Sequence, residues 1–346
     1  MDKKERFSAT IKREKVDRPA WWIGLPAIGA LDGLYAATGT KAFRTLKTKL
    51  DDDIWAAEMP YKNGATDAIY AAFDFAKKGS APKSEGRTLT SPGFFEDCED
   101  ADAVNLFDWP DPARFIRKEE CEALKKSFPK GYPVLGVIWS AHFQDACAAF
   151  GMEDALIKMK TAPALFQAVI GRITDFYLRA NGIFYEYMKG SLDAVLIGND
   201  FGSQTGLMVS PDDLRKYVFS GTRALIDQAK EYGLKVMHHS CGAISEIIPD
   251  LIECGADVIH PIQALAEGMS AERLKNLYGD RTSFCGGIDV QKLLVRGTKK
   301  EIEADLERLR SIFPTGLIFS PSHEAVLQDI PSENLLLIAD YFKKAS

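Results

Sequence analysis

An imidazole and a thiol lie close together in the segment His238-His239-Ser240-Cys241-Gly242, directly after a short apolar run from Leu234 to Met237. His239 and Cys241 are two positions apart, so on an extended backbone their side chains point the same way. Nitrogen together with thiolate sulfur is a donor pair that zinc prefers. We therefore predict two zinc ligands here, against the alternative of a core histidine beside an unrelated cysteine. His238 is expected to face the opposite side of the strand.

Short apolar runs alternate with longer amphipathic segments from about Gly131 onward. This alternation predicts parallel strands joined by right-handed helical crossovers. With further strands expected before Gly131, it favours a closed (β/α)8 TIM barrel, formed as a single α/β domain over residues 1–346 with an N-terminal helical extension. The predicted strands cover residues 132–139, 193–197, 234–238, 257–262, 282–285 and 317–320, and predicted helices include 211–231, 245–254 and 299–312.

Polar residues follow the ends of these predicted strands. In a parallel barrel the carboxyl ends of all strands open on one face, where active sites lie. We therefore expect side chains that are distant in the sequence to meet around one mouth. The main candidates are Trp139, Asp200, the segment 239–242, Gln263, the pair Gly286-Gly287 and His323.

A third zinc ligand is needed, because a catalytic zinc ion has three protein ligands and one open position. His323 follows the last predicted strand and is the predicted third ligand, with Cys285 as the alternative. Asp200 is the predicted catalytic residue. It can orient a ligand imidazole, bind the substrate, or ligate the metal itself.

Substrate contacts are predicted for three tryptophans and one glutamine. Trp21 and Trp22 belong to an apolar segment, residues 19–28, that is expected to include the first strand. Together with Trp139 they can stack on a planar substrate at the mouth, and Gln263 is expected to contact it as well. The alternative for at least one of the first two is packing in the outer layer of the barrel.

Composition excludes several classes of partner. A net charge of −6 and a pI near 5.6 provide no electrostatic footprint for nucleic acid or for an anionic membrane surface. The charged N-terminus has no apolar core of a secretory signal, and no run approaches the ~18 apolar residues that span a bilayer. The six cysteines are spread thinly, unlike a disulfide framework. These features predict a cytoplasmic protein that binds neither nucleic acid nor membranes.

The chain resembles the uroporphyrinogen decarboxylase superfamily and, within it, the zinc- and corrinoid-dependent methyltransferase branch. The resemblance covers nearly the whole chain and implies a (β/α)8 barrel. It rests on the opening from Arg6-Phe7 through Arg18-Pro19-Ala20-Trp21, on His239–Gly242, on the turn 284–289, and on residues 320–323 leading to 331–334.

The two branches of this superfamily differ in the residues they need. Decarboxylases bind a substrate with eight carboxylates, partly through an Arg-Gln-Ala-Gly-Arg motif, whereas the matching stretch here, Ile23 to Gly29, has no cation. The methyltransferase branch holds zinc with His-x-Cys and a later Cys. This chain has His323 about where that last Cys is expected, so the third ligand stays open between His323, Cys285 and Asp200. The same departure disfavours the thiol-methylating members.

The resemblance implies methyl transfer from a small methylated substrate, such as a methoxylated aromatic, to the cobalt of a corrinoid (cobalamin). A partner protein would carry the corrinoid, since no corrinoid-binding Asp-x-His-x-x-Gly sequence occurs in this chain. Zinc would act as a Lewis acid, and Asp200 would supply a proton or orient the heteroatom. The alternatives are transfer from methyl-corrinoid to a thiol or tetrahydrofolate, porphyrinogen decarboxylation, and a non-catalytic binding barrel. The sequence leaves open whether the chain forms a homodimer.

Overall fold

A sheet of seven parallel strands forms the wall of the barrel in this computed structural model, which describes residues 1–64, 66–76 and 88–344. The strands of the described residues are β1 Leu25–Pro26, β2 Trp55–Glu58, β3 Val134–Trp139, β4 Ala194–Gly198, β5 Lys235–His239, β6 Val258–Ile262, β7 Ser283–Ile288, β8 Leu317–Pro321 and β9 Ala325–Val326. Strands β2 to β8 lie in sequence order, and β1 pairs with β9 in a small parallel sheet.

Extended residues 20–23 lie between β8 and the start of β2. The Trp22 amide donates to the Phe319 carbonyl at 2.8 Å, and the Phe319 amide donates to the Ala20 carbonyl at 2.9 Å. On the other side, the Asp53 amide donates to the Trp21 carbonyl at 2.9 Å. This segment therefore bridges the two edges of the sheet, and the predicted α/β barrel class is confirmed with seven regular strands and one irregular one.

Helices surround the sheet and connect consecutive strands. The α-helices of the described residues are α1 Lys3–Ile11, α2 Ile28–Thr38, α3 Phe43–Leu50, α4 Lys118–Ser127, α5 His142–Phe150, α6 Met152–Thr161, α7 Pro163–Met188, α8 Pro211–Tyr217, α9 Phe219–Glu231, α10 Ile248–Cys254, α11 Ala271–Tyr278, α12 Leu293–Arg296, α13 Lys299–Ile312 and α14 Ser332–Lys344. None of them is long and apolar enough to cross a membrane. Short 3₁₀ turns cover Ile69–Ala71, Ala101–Leu106, Pro112–Arg114 and Ser245–Ile247.

The N-terminal extension is helix α1, which closes the amino end of the barrel. A capping box between Asp2 and Glu5 starts this helix. The Ser283 hydroxyl, at the start of β7, lies 3.2 Å and 2.9 Å from the last carbonyl oxygens of the helix. Phe7 and Ile11 join the inner core of the barrel, so the interior is packed below the cavity at the carboxyl end.

Two sequence predictions differ from the structure in their boundaries. Strand β7 continues through Gly286 and Gly287, although the glycine pair predicted that this strand ends at residue 285. A side chain at Gly286 would come within 2.6 Å of the Ile262 amide nitrogen, so the close approach of β6 requires glycine. The helix predicted over residues 211–231 is divided at Val218, whose φ of −113° departs from helical geometry.

Candidate metal centre at the barrel mouth

A cavity of about 440 Å³ opens at the carboxyl ends of the strands. Side chains from several strand ends and loops line it, and none of the described lining residues is Lys or Arg. Its wall therefore combines negative charge with aromatic surface. The carboxylates that line it are Glu58, Asp145, Asp200 and Glu324, and the aromatic side chains are Tyr70, Trp139 and the imidazole of His239.

His239 is the last residue of β5 and lies at the floor of this cavity with 4% exposure. Its Nε2 atom is 3.1 Å from Oδ1 of Asp200, and its Nδ1 atom is 2.9 Å from Nδ1 of His260. His238 points to the opposite side of the strand, where its ring stacks on Phe201. Burial lowers the pKa of His238 to about 3, so this imidazole is neutral and belongs to the core.

Cys241 follows in a sharp turn after the strand. Its Sγ atom lies 3.5 Å from Nε2 of His239, and its amide donates to Oδ1 of Asp200 at 2.9 Å. Gly242 has φ of 89°, and a side chain there would collide with the backbone of Gly202 at 2.3 Å. The amide of Gly242 donates to Oε1 of Gln263 at 2.6 Å, so the turn that presents the thiol is held from both sides.

Three groups of potential metal ligands occur among the described residues, each with all ligand atoms within 4.8 Å of one another. His239 and Cys241 share one group with Asp200. The predicted set of His239, Cys241 and His323 does not form a group by this measure, and the rings of His239 and His323 are 6.5 Å apart between centroids. The groups are Asp200–His239–Cys241, His239–His260–Glu324 and Cys241–His323–Glu324.

The alternative ligand Cys285 lies elsewhere. It is fully buried in the barrel interior and belongs to none of these groups of described residues. Burial raises the pKa of its thiol well above the ordinary range, which disfavours the thiolate that zinc requires. The structure therefore places Cys285 below the mouth as a packing residue.

Glu324 is a candidate that the sequence patterns missed. It is 8% exposed, and its Oε2 atom accepts no hydrogen bond from the described residues. This oxygen lies 3.4 Å from Nδ1 of His323 and 3.6 Å from Nδ1 of His239. A buried carboxylate oxygen without a hydrogen bond is costly unless a cation lies beside it. The available signal was its position, directly after His323 at the end of the last barrel strand.

The electrostatics of the floor favour a bound cation. Burial acts to lower the pKa of His239, but the carboxylates of Glu324 and Asp200 outweigh it and raise this pKa well above its usual value. Burial acts to raise the pKa of Asp200, but the hydrogen bonds from His239 and Cys241 lower it below its usual range. The surroundings therefore stabilise positive charge on or beside the imidazole, and a divalent cation can take the place of the proton.

The predicted substrate contacts divide into two sets. Trp139 lines the cavity, with its ring edge-on to His239 at 5.3 Å between centroids, and φ of 52° turns the chain there. Trp21 is 1% exposed and stacks on Phe342 of α14 in the outer layer. Trp22 is fully buried in the barrel interior, 5.8 Å from the ring of His260. Both lie away from the cavity because the segment 20–23 fills the wall of the barrel below its mouth.

His323 and Gln263 line a neighbouring cavity of about 300 Å³ at the same end of the barrel. His323 is 39% exposed through its side chain, and its Nδ1 atom accepts a hydrogen bond from the Ala325 amide at 3.0 Å. Gln263 is 7% exposed and uses its amide oxygen to hold the turn at Gly242. Gln263 therefore supports the turn, whereas His323 contributes an atom to the group Cys241–His323–Glu324.

Comparison with known proteins agrees with the fold. Residues 2–345 match the family model described as Uroporphyrinogen decarboxylase (URO-D). Two relatives carry the name uroporphyrinogen decarboxylase. One, from Syntrophotalea carbinolica, is 26% identical over 188 residues, which are 53% of this chain and 49% of that protein. The other, from Citrifermentans bemidjiense, is 26% identical over 236 residues, which are 64% and 63% of the two chains.

The chain therefore spans about half the length of the first of these relatives and under two thirds of the second. A solved structure described as a methyltransferase from Methanosarcina mazei superposes with a TM-score of 0.68. The superposition covers 99% of both chains at 17% sequence identity. At this identity the likeness shows a shared fold over the full length of the chain.

Proposed function

Because this chain belongs to the uroporphyrinogen decarboxylase family, we propose that it is a zinc-dependent methyltransferase of that family. It transfers a methyl group from a small methylated substrate to the cobalt of a corrinoid carried by a partner protein. The observation that carries the proposal is the group Asp200–His239–Cys241, whose carboxylate, imidazole and thiol atoms lie within 4.8 Å of one another at the mouth. The shared fold with a solved methyltransferase supports it.

The donor atoms fit zinc. Imidazole nitrogen and cysteine sulfur are preferred zinc ligands, and a carboxylate oxygen completes the kind of three-ligand set that leaves one position open. His239 and Cys241 would supply the first two, and Asp200, Glu324 or His323 the third. Bound there, zinc would supply Lewis acidity toward the heteroatom that carries the methyl group.

Asp200 acts in this proposal by positioning the ligands. Its Oδ1 atom accepts a hydrogen bond from the Cys241 amide at 2.9 Å and lies 3.1 Å from Nε2 of His239. Its Oδ2 atom accepts a hydrogen bond from Nε2 of Gln144 at 3.3 Å. The backbone amide of Asp200 donates to Oε1 of the same glutamine at 3.1 Å. Both oxygens are therefore occupied as acceptors. Of the roles predicted for Asp200, orientation of the ligand imidazole is favoured over proton supply.

The charge of the cavity disfavours porphyrinogen decarboxylation. Four carboxylates line it, and no described lining residue is Lys or Arg. A substrate with eight carboxylates needs cationic partners, because like charges brought together in a partly desolvated site cost several kcal/mol. The stretch from Ile23 to Gly29, where the decarboxylases resembled by this chain have arginines, has none. A neutral methylated substrate meets no such barrier.

The test combines metal analysis with methyl transfer. We expect purified protein to contain about one zinc per chain and to convert a Co(I) corrinoid to its methylated form in the presence of methoxylated aromatics, methanol or methylamines, followed by the visible spectrum of the corrinoid. His239→Ala and Cys241→Ala should lose both zinc and methyl transfer while keeping the circular dichroism of the wild type. Cys285→Ala is the matched control and should keep zinc.

Two results would contradict the proposal. One is wild-type protein that binds no zinc at micromolar metal. The other is full transfer activity in metal-free His239→Ala or Cys241→Ala protein. If the wild type instead methylates a thiol or tetrahydrofolate from methyl-corrinoid and accepts no methyl donor, the direction of transfer is the reverse of the one proposed.

A further inference from the structure

Asp145 is a cavity carboxyl that the metal groups do not use. It lies on α5, one residue after Gln144, and lines the cavity together with Trp139 and Asp200. The hydroxyl of Tyr177, a fully buried residue of α7, donates to Oδ2 of Asp145 at 2.5 Å. The Oδ1 atom has no hydrogen-bond partner among the described residues, and the side chain is partly exposed to the cavity. The carboxyl is thus anchored at one oxygen and free at the other.

The surroundings of Asp145 favour its protonated form. Burial raises its pKa to about 7, although the Tyr177 hydroxyl acts to lower it. No Lys, Arg or His of the described residues forms an ion pair with it. This carboxyl is therefore protonated in a large fraction of the molecules near neutral pH. The titratable groups that face it are Tyr177 on α7 and Cys147 on its own helix, and across the cavity Glu58, Asp200, His239 and Glu324.

The other two inner carboxylates of the cavity are committed elsewhere. Asp200 has both oxygens occupied as acceptors, by the Cys241 amide, His239 and Gln144. Glu324 lies between the rings of His239 and His323. Two carboxyls in one site whose environments differ in this way divide the acid and the ligand-holding roles between them. Since Glu58 is exposed to solvent, Asp145 is the remaining cavity carboxyl in position to hold and release a proton.

We propose that Asp145 protonates the leaving oxygen of the substrate during methyl transfer, and that the methyl donor is therefore a methyl ether or methanol rather than a methylammonium compound. This inference rests on the proposed function. The carbon–oxygen bond breaks and both of its electrons stay on oxygen, which takes the proton of Asp145. The Co(I) centre of the partner's corrinoid supplies the electron pair of the new cobalt–carbon bond and becomes formally Co(III).

The products are an alcohol or phenol and the Asp145 carboxylate, which regains a proton from water entering the cavity. A methylammonium donor leaves as a neutral amine and needs no proton, so an acid in the wall favours oxygen over nitrogen. The apolar part of the wall points to an aromatic ether. Tyr70 and Leu89 are 54% and 37% exposed at the cavity, beside Trp139 and Leu25, and such surface suits a ring that covers it.

The test compares two methyl donors in Asp145→Asn and wild-type protein. A methoxyphenol leaves as a basic phenolate and depends on the acid, whereas 4-nitroanisole leaves as a stable nitrophenolate and depends on it little. We expect the variant to lose about 10²–10⁴-fold in rate with the methoxyphenol, and only a small factor with 4-nitroanisole. The wild-type rate with the methoxyphenol should fall as pH rises through about 7, and this decline should be absent in the variant.

Zinc content and affinity for the methoxyphenol should be the same in both proteins. The matched control is Asp175→Asn, which alters an exposed carboxyl of α7 and should leave both rates unchanged. A readout apart from turnover is the infrared carbonyl band of a protonated carboxyl, expected near neutral pH in the wild type, lost at high pH, and absent in Asp145→Asn.

Each contrary outcome has its own meaning. The acid role of Asp145 is overturned if Asp145→Asn loses rate equally with both donors. It is also overturned if the wild type and Asp145→Asn have the same infrared carbonyl bands. A wild type that takes methyl groups from methylamines but not from ethers keeps the proposed function and overturns this inference. A wild type that transfers methyl groups from no donor overturns the proposed function, and the role of Asp145 in it falls as well.

Discussion

The two ends of the barrel both bury charged groups, and they treat them differently. At the amino end, Asp53 is fully buried and accepts four hydrogen bonds, at 2.6 to 3.0 Å, from the guanidinium groups of Arg6 and Arg18 and from the Trp21 amide. Every lone pair of this carboxylate has a partner. The cluster fixes α1 and the segment 20–23 against the start of β2, and it is complete without any ligand.

At the mouth the buried polar groups are incompletely paired. Oε2 of Glu324 and Nε2 of His260 have no hydrogen-bond partner among the described residues. Burial of such groups costs free energy, because the hydrogen bonds they lose to water are not replaced within the protein. The contrast is between the Asp53 cluster, which the chain completes with its own hydrogen bonds, and the open acceptor of Glu324, which lies among the candidate metal ligands and supports the proposed cation site.

The largest effect is expected at the amino end. Asp53→Asn removes the charge that compensates two buried arginines and should lower the free energy of unfolding by about 3–5 kcal/mol, measured by urea denaturation. Zinc bound per folded chain should not change. The matched control is Asp17→Asn, which removes a partly exposed partner of Arg6 and should cost less than about 1 kcal/mol. Equal effects of both substitutions would remove the distinction between the two ends.

At the mouth, substitution of a carboxyl should increase stability. Folding raises the pKa of Asp145 from 3.8 to about 7, so its contribution to stability is complete below about pH 4 and is lost as pH rises through 7. Asparagine stays neutral throughout. The free energy of unfolding of Asp145→Asn, relative to that of the wild type, should therefore rise by on the order of 2–4 kcal/mol from pH 4 to pH 8. Urea denaturation at these two pH values measures it. A variant that loses stability at pH 8 would make Asp145 a structural residue.

Glu324→Gln tests the open acceptor directly. Removing the carboxylate charge beside the ligand groups should weaken zinc binding by about 10–100-fold, measured by competition with a chelator. The metal-free variant should be less stable than the metal-free wild type at neutral pH, because the carboxylate that helps to raise the pKa of His239 is removed. Unchanged zinc affinity would exclude Glu324 from the metal site and leave Asp200 and His323 as the remaining candidates for the third ligand.

The smallest effect is expected at the aromatic wall. Trp139→Leu should weaken binding of a methoxylated aromatic by about 1 kcal/mol, or roughly fivefold, measured by calorimetry. Binding of methanol should not change, since methanol has no ring to stack. Zinc content should also stay the same, because the indole contacts His239 only through its ring edge. Equal losses for both donors would indicate that the substitution disturbs the metal centre rather than the wall.

Local sequence patterns predicted the parts of the molecule that depend on neighbours along the chain. The six strands predicted after residue 131 are all present. The i, i+2 spacing of His239 and Cys241 predicted that their side chains lie together, and Sγ of Cys241 lies 3.5 Å from Nε2 of His239 although Cys241 follows the end of the strand. These features follow from backbone periodicity and from local hydrogen bonds, so no tertiary information was needed.

Predictions that depend on distant segments were less complete. The sequence does not show that Trp21 and Trp22 lie below the mouth, because their depth is set by pairing with Phe319 and Asp53. It also did not distinguish Glu324 from ordinary surface glutamates, since its burial arises from the convergence of β5 and β8. Asp145 is similar: in the sequence it is one helix residue among many, and only its burial beside the cavity, where Tyr177 of another helix anchors one of its oxygens, makes it an acid candidate.

The amino-acid sequence by itself determined the barrel class, the order of its strands, and the imidazole–thiol pair, because each is encoded in spacing over a few residues. Only the tertiary structure decided which carboxylates surround that pair, which of them is free to hold a proton, and which tryptophan reaches the cavity. The physical reason is that ligand geometry and desolvation depend on side chains brought together from different strands, and the spacing of residues along one strand carries no information about its neighbours' depth and charge.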